Sequence, residues 1–187
     1  MVYIILGKGF EEAEAIIPCD ILRRGGIQVY FAGIGSNVIT GSNGITVQAD
    51  CTVEDMNLAE TDMIVLPGGL GGVHSILGSP TAMDAIRQLH GNSKYIAAIC
   101  AAPTILAKLG ITDGKNATCY PGMEDQMGSA LMTDANAVRD GKILTGRAPG
   151  ASFDFGYLLL ETLTDKNTSA QVRSGMVYLH GEEGTHV

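Results

Sequence analysis

One cysteine and one glutamate stand at positions where side chains of their types can do chemistry. Cys100 lies between the apolar run YIAAI and the helix-like segment PTILAKLG. At such a strand-to-helix corner, the backbone amides that open the helix carry partial positive charge, which lowers a thiol pKa. Glu14 shares a helical face with Phe10, Ile17 and Ile21 in the segment FEEAEAIIPCDILRR. The spacing therefore places one carboxyl group on an otherwise apolar stripe.

Both residues also have a purely structural interpretation. A buried Glu14 would have a raised pKa and could donate a hydrogen bond to a thiolate, whereas a side chain that reaches solvent or a loop amide would only support the fold. Glu11 and Glu12 lie in the first turn of the same helix, where the helix dipole favours acids, and they need no further role. Cys100 itself could be an inert core thiol. That is the interpretation of the remaining cysteines, Cys19, Cys51 and Cys119.

Strand-like and helix-like segments alternate along the chain. Apolar runs at 2–6, 62–66 and 95–99 are continuous rather than alternating, which is typical of strands that helices cover on both faces of a parallel sheet. The pattern predicts a doubly wound α/β domain, in which ligands gather at the carboxyl ends of the strands. The residues expected at that edge are Gly7, Gly68, Gly69 and Cys100. The other predicted elements are a strand at 27–33, hairpins at Ser42-Asn43-Gly44 and Asp140-Gly141, and helices at 10–24, 80–90, 103–110 and 151–175 with a break near 165–167.

The length, net charge and composition of the chain limit the possible classes of function. A chain of 187 residues is long enough for one domain, 1–187, in which the residues after about 178 are expected to form a flexible tail. The net charge of −8 argues against a general nucleic-acid or anionic-membrane surface. The cysteines form no C-x-x-C pair, so their spacing does not indicate a zinc site. No apolar stretch is long enough to span a bilayer. A reducing, cytoplasmic setting is expected, because no leader pattern precedes the first strand.

Four segments in register resemble the ThiJ/PfpI superfamily, specifically its parkinsonism-associated protein deglycase subfamily. They are EEAEAIIPCDILRRGGI, DMIVLPGG, IAAICAAPTIL and LTGRAPGASFDF, and the resemblance covers about residues 2–175. It implies a flavodoxin-like sandwich, usually a homodimer, with a reactive cysteine at a nucleophile elbow. It also implies a cofactor-free and metal-free enzyme with glyoxalase or deglycase activity. The expected substrates are small 1,2-dicarbonyls such as methylglyoxal, or their early adducts on proteins.

The resemblance also implies roles for individual residues. Cys100 would be the nucleophile, Glu14 the acid beside it, and the backbone amides of Gly69 and Ala101 the oxyanion donors. The residues expected to form the pocket are Gly68, Tyr120, Arg147, Ala148 and Pro149. The chain departs from the family pattern at Tyr120, where animal members carry a histidine, and at Asn43, where several members carry an arginine.

Three other functions are weighed against this one. A redox sensor or chaperone-like protein would use the same Cys100 without turnover. A glutamine amidotransferase would need the string His180-Gly181-Glu182 near the cysteine, but that string lies in a polar tail. A peptidase of the wider superfamily would have a histidine directly after the cysteine, where this chain has Ala101. His74 is interpreted as a loop residue, and His90 as a cation at a helix C-terminus.

Overall fold

The computed structural model describes residues 1–178. The strands are β1 (Val2–Leu6), β2 (Val29–Gly33), β3 (Val38–Thr40), β4 (Thr46–Gln48), β5 (Cys51–Thr52), β6 (Met63–Leu66), β7 (Tyr95–Ile99), β8 (Asn116–Ala117), β9 (Leu131–Met132), β10 (Ala137–Asp140) and β11 (Ile143–Gly146). The helices are α1 (Glu12–Arg24), α2 (Leu70–Leu77), α3 (Pro80–Gly91), α4 (Pro103–Lys108), α5 (Ser152–Leu163) and α6 (Lys166–Gly175). Short 3₁₀ turns lie at Val53–Asp55, Glu124–Gln126 and Pro149–Ala151.

A seven-stranded sheet with the order β10-β11-β7-β6-β1-β2-β5 forms the centre of the fold. Its strands pair in parallel, except that β10 runs antiparallel to β11. The central strands β1 and β6 are buried at every residue, as their continuous apolar sequences predicted. Helices α1 and α5 pack against each other, and α3 packs on β6 and β7. The predicted doubly wound, mostly parallel α/β architecture is therefore confirmed.

Both predicted hairpins are present. Strands β3 and β4 pair antiparallel around the Ser42-Asn43-Gly44 turn, and Gly44 has a φ of +83° there. Strands β10 and β11 pair around Gly141, whose φ is +61°. Positive φ is the conformation that glycine adopts at no steric cost, so these turns fix the register of both hairpins.

The prediction that His74 lies in a loop is wrong, because His74 lies in α2. The glycines before and within this segment favour close packing instead of an irregular loop. Gly69 has a φ of +77° at the start of the helix. A Cβ on Gly72 would approach the Phe10 Cα to 2.8 Å, so α2 packs directly on the loop between β1 and α1. His90 occupies the last turn of α3, as predicted.

In residues 1–178, no helix is both long enough and apolar enough to cross a membrane.

Candidate active site

Cys100 lies in a strained turn between β7 and α4. Its φ is +66°, a left-handed conformation that is unfavourable for a residue with a Cβ. Two hydrogen bonds hold it there: its N–H donates to the Gly146 carbonyl at 2.9 Å, and its carbonyl accepts from the Tyr120 N–H at 2.7 Å. The residue is 8% exposed. The surrounding chain thus maintains an outlier of the kind that functional sites contain.

Glu14 is fully buried beside this turn, which excludes the interpretation that its side chain reaches solvent. Its side-chain Oε2 accepts a hydrogen bond of 2.7 Å from the Gly68 N–H. Its Oε1 has no hydrogen-bond partner among the described residues. A Cβ on Gly68 would lie 2.7 Å from Glu14 Oε2 and 2.8 Å from the Cys100 Cβ. The carboxyl and the thiol are therefore packed against the same glycine, and no larger residue fits there.

The two groups perturb each other's ionisation. Burial raises the pKa of Glu14 to about 7, with a smaller contribution from the charge of Glu11, against hydrogen bonding with the Cys100 thiol and the Gly68 amide. Burial, followed by the charge and hydrogen bond of Glu14, raises the pKa of Cys100 to about 12, although the Ala101 and Gly69 amides lower it. The sequence-based expectation of a lowered thiol pKa is therefore wrong, because the amides are outweighed.

Above about pH 7 the pair carries a single proton, and below that pH it carries two. The carboxyl pKa of about 7 and the thiol pKa of about 12 leave one proton between the two groups over the range that separates these values. A Cys100 thiolate forms when this proton resides on Glu14. In that state the neutral carboxyl no longer repels the thiolate and can donate a hydrogen bond to it. The protonation state of the buried carboxyl therefore determines whether Cys100 can be a thiolate.

An open pocket of about 610 Å³ lies over the thiol. It contains five of the predicted site residues: Cys100, the oxyanion candidates Gly69 and Ala101, and the wall residues Tyr120 and Pro149. The backbone amides of Gly69 and Ala101 lower the pKa of the thiol and could hold an oxyanion formed next to it. Sequence reasoning missed five lining residues: Glu11, Leu70, Pro121, Gly122 and Met123. Only the position of Pro121, Gly122 and Met123 directly after Tyr120 could have indicated part of this set.

Two predicted wall residues, Arg147 and Ala148, do not line this pocket. The Arg147 guanidinium forms an ion pair of 3.1 Å with Asp134 and lines a separate cavity of about 160 Å³ beside Cys119. Strand β11 ends at Gly146, so Arg147 is the first residue beyond it, and its side chain lines this separate cavity and not the pocket over Cys100. Gly68 also lies outside the pocket lining, because it stands behind the thiol as the donor to Glu14.

The expectation that Glu12 needs no further role is also wrong. Glu12 is 5% exposed, and its carboxylate accepts hydrogen bonds from the Asn43 N–H at 2.8 Å and the Ile45 N–H at 3.3 Å. The Asn43 side-chain amide donates to it at 2.9 Å. Burial alone would raise the pKa of Glu12, but these hydrogen bonds, first that of the Asn43 side chain, lower it. Glu12 therefore anchors the β3–β4 hairpin to the start of α1.

The other three thiols are positioned as inert groups. All four cysteines are free. Burial raises the pKa of Cys19 and of Cys119 to about 11 and also raises that of Cys51. A raised pKa is thus shared by all four, and Cys100 differs from the others in its strained turn, its acid partner and its pocket. Among residues 1–178, no group of three or more His, Cys, Asp and Glu side chains is arranged to hold a metal ion.

The peptidase and amidotransferase alternatives lack support at this site. Ala101 follows the cysteine, so the Cys-His arrangement of a peptidase is missing at that position. The amidotransferase string at 180–182 lies outside the described residues. No histidine is among the described residues that line the pocket.

Comparisons with known proteins identify the family to which this sequence and fold are similar. The model of the DJ-1/PfpI family matches residues 1–162. Protein dj-1beta of Drosophila melanogaster is 37% identical over 177 residues, which are 93% of this chain and 95% of that protein. Its crystal structure superimposes with a TM-score of 0.90 over 96% of this chain and 98% of that one, at 36% identity.

Two further relatives have informative names. A protein of Pyrococcus abyssi named as a deglycase is 36% identical over 151 residues, or 80% of this chain and 90% of its own. The structure titled as oxidised DJ-1 of Toxoplasma gondii is 28% identical, with a TM-score of 0.90 over 96% of this chain and 98% of that one. Both likenesses extend over most of the fold.

Proposed function

The chain belongs to the DJ-1/PfpI family, and on that premise we propose that it is a cysteine-dependent, cofactor-free enzyme that acts on small 1,2-dicarbonyls or their early protein adducts. The observation that carries this proposal is the contact of a buried, proton-holding Glu14 with a strained Cys100 at the floor of an open pocket. The relative named as a deglycase supports the same reaction class.

The geometry suggests how a dicarbonyl such as methylglyoxal would react. The Cys100 thiolate attacks the aldehyde carbon, and the C–S bond forms while the C=O electron pair moves to oxygen. The amides of Gly69 and Ala101 hydrogen bond to this oxygen at the position they already occupy beside the sulfur. This oxygen then takes the proton held by Glu14, which gives a hemithioacetal bound to Cys100 and leaves Glu14 as a carboxylate.

Glu14 then moves protons between the two carbons of the bound substrate. Its pKa of about 7 lets it both accept and release a proton near neutral pH, which is the property that a general acid-base group requires. The proton leaves the former aldehyde carbon, an enediol forms, and the proton returns to the neighbouring carbon. The resulting thioester is hydrolysed by water, so that a dicarbonyl and water together give a 2-hydroxy acid and restore the Cys100–Glu14 pair.

Two residues of the pocket region modify this scheme. Tyr120 is 46% exposed at the rim of the pocket and can donate a hydrogen bond to a substrate carbonyl. Tyr120 has a phenol hydroxyl in place of an imidazole, so it does not replace a histidine as a proton shuttle. Asn43 donates to the carboxylates of Glu11 and Glu12 and brings no positive charge. We therefore expect slower turnover than in relatives with histidine and arginine at these positions.

Lactate formation from methylglyoxal without glutathione tests the proposal. The wild-type chain should form many lactate molecules per subunit. Cys100→Ala should abolish formation because the nucleophile is lost, and Glu14→Gln should abolish it because an amide cannot relay the proton. Wild-type activity no greater than that of Cys100→Ala would refute the proposed enzymatic function.

A redox sensor is the second candidate function at the same residues. The solved relative titled as an oxidised form favours it. A protonated Glu14 and the two amides could hold the oxygens of a Cys100 sulfinate. Modification by peroxide once per subunit, selectively at Cys100 and without lactate formation, would favour the sensor over the enzyme.

A further inference from the structure

Glu11 is the sole charged side chain among the described residues that line the pocket over Cys100. The rest of the lining is apolar or neutral and includes the exposed side chains of Leu70 and Tyr120. The Glu11 carboxylate accepts a hydrogen bond of 3.0 Å from the Ser42 hydroxyl. A longer contact of 3.4 Å comes from the Asn43 side-chain amide. The β3–β4 hairpin thus holds this carboxylate at the wall of the pocket.

No cationic side chain among residues 1–178 pairs with Glu11. Its two hairpin partners are neutral donors, which fix the carboxylate and leave its charge unchanged. The arginine expected near the pocket, Arg147, is paired with Asp134 in another cavity. The pocket wall therefore carries one uncompensated negative charge close to the reacting thiol.

We propose that Glu11 determines charge specificity: the pocket admits neutral or cationic reactants to Cys100 and disfavours anionic ones. As it bears on substrates, this inference rests on the proposed function. The substrates would then be neutral dicarbonyls and carbonyl adducts of lysine or arginine side chains, and not keto acids. The apolar rim suits the alkyl part of such adducts, and Glu11 suits their ammonium or guanidinium group.

Two thiol reagents of similar size and opposite charge test the proposal without any need for turnover. They are the 2-(trimethylammonium)ethyl and the 2-sulfonatoethyl methanethiosulfonates. In each case the Cys100 thiolate attacks the sulfenyl sulfur, a disulfide forms, and methanesulfinate leaves with the electron pair of the broken S–S bond. Peptide mapping measures the rate at Cys100, and each rate is divided by that of 2-mercaptoethanol with the same reagent.

The ratio of the cationic to the anionic rate is the decisive quantity. Glu11→Gln keeps an oxygen acceptor for the hairpin and removes the charge. It should lower the ratio on the order of tenfold, because one nearby unit charge changes the two rates severalfold in opposite directions. Any change in the thiolate fraction of Cys100 affects both reagents equally and cancels in the ratio. Asp125→Asn is the matched control, since Asp125 is exposed and does not line the pocket.

Three results would overturn the proposal. These are an unchanged ratio in Glu11→Gln, an equal decrease in Asp125→Asn, and a Cys100 that neither reagent modifies. An equal decrease would mean that the net charge of the whole protein sets the preference. A chain that keeps the Glu11-dependent ratio but forms no lactate would support the charge specificity and refute the enzyme, so the two failures are distinguishable.

Discussion

Glu14→Gln should stabilise the folded protein at neutral pH, because the buried carboxyl must otherwise lose its proton in an unfavourable environment. The pKa of Glu14 rises from an ordinary 4.5 to about 7 in the fold. Below pH 4.5 the group is protonated in both the folded and the unfolded chain, and ionisation has no effect on stability. As the pH rises from 4.5 to 7 the unfolded chain releases this proton first, so the folded state loses stability.

The size of the effect follows from the same two values. At about 1.4 kcal/mol per pKa unit, the rise corresponds to a loss of about 3 kcal/mol in the free energy of unfolding above pH 7. Glutamine has the same shape as protonated glutamate, and its oxygen can accept the Gly68 N–H. The variant should therefore match the wild type near pH 4 and exceed its stability by about 3 kcal/mol at pH 8.

Urea unfolding under reducing conditions at several pH values between 4 and 8 measures this difference. Other carboxyl groups are present in both proteins and cancel in the comparison. Glu12→Gln is the control of opposite sign, because hydrogen bonds lower the pKa of Glu12, so its charged form stabilises the fold. That variant should be less stable than the wild type at neutral pH and approach it as the pH falls. A Glu14→Gln difference that stays constant from pH 4 to pH 8 would refute the reasoning.

Two further predictions concern the backbone of the site. Cys100→Gly should be more stable in urea than Cys100→Ala by about 1 kcal/mol, since alanine retains the left-handed strain at φ +66°. Cys19 is the control, because it lies within helix α1, where alanine is more favourable than glycine. Cys19→Ala should therefore be more stable than Cys19→Gly. Gly68→Ala should lower the free energy of unfolding by about 1–3 kcal/mol and slow Cys100 alkylation by iodoacetamide, because the new Cβ would press on Glu14. Gly91→Ala, with open space around its Cβ, should do neither, and equal losses in both alanine variants would contradict the packing argument.

Much of the architecture follows from local patterns. Continuous apolar runs identified the buried strands β1, β6 and β7, and Asx-Gly turns identified the two hairpins. Helix α2 was missed because its sequence, LGGVHSIL, contains two glycines early in the helix. Those glycines are favoured there by the close approach of the β1–α1 loop, which lies about sixty residues earlier in the chain. Helix propensity alone could not indicate that contact.

Some features of the site could likewise be predicted from local sequence, and others could not. Placing Cys100 after a strand and Glu14 on an apolar stripe needed only the order and spacing of nearby residues, and the structure brings the two together. The sequence also predicted that the amides of Gly69 and Ala101 lie beside the thiol. Gly69 ends the segment DMIVLPGG, and Ala101 directly follows Cys100. Its prediction for Arg147 was wrong, because the direction of a side chain beyond a strand depends on its partner, here Asp134.

The sequence by itself determined the fold class, the choice of Cys100 and Glu14 as candidate site residues, and the position of the edge where they meet. These features depend on periodicity and turn chemistry within a few neighbouring residues. Only the tertiary structure decided the sign of the Cys100 pKa change, the anchoring of Glu12 by a hairpin 31 residues away, and the charge of the pocket wall at Glu11. Ionisation and pocket shape depend on burial and on distances between segments far apart in the chain, and no local pattern specifies either quantity.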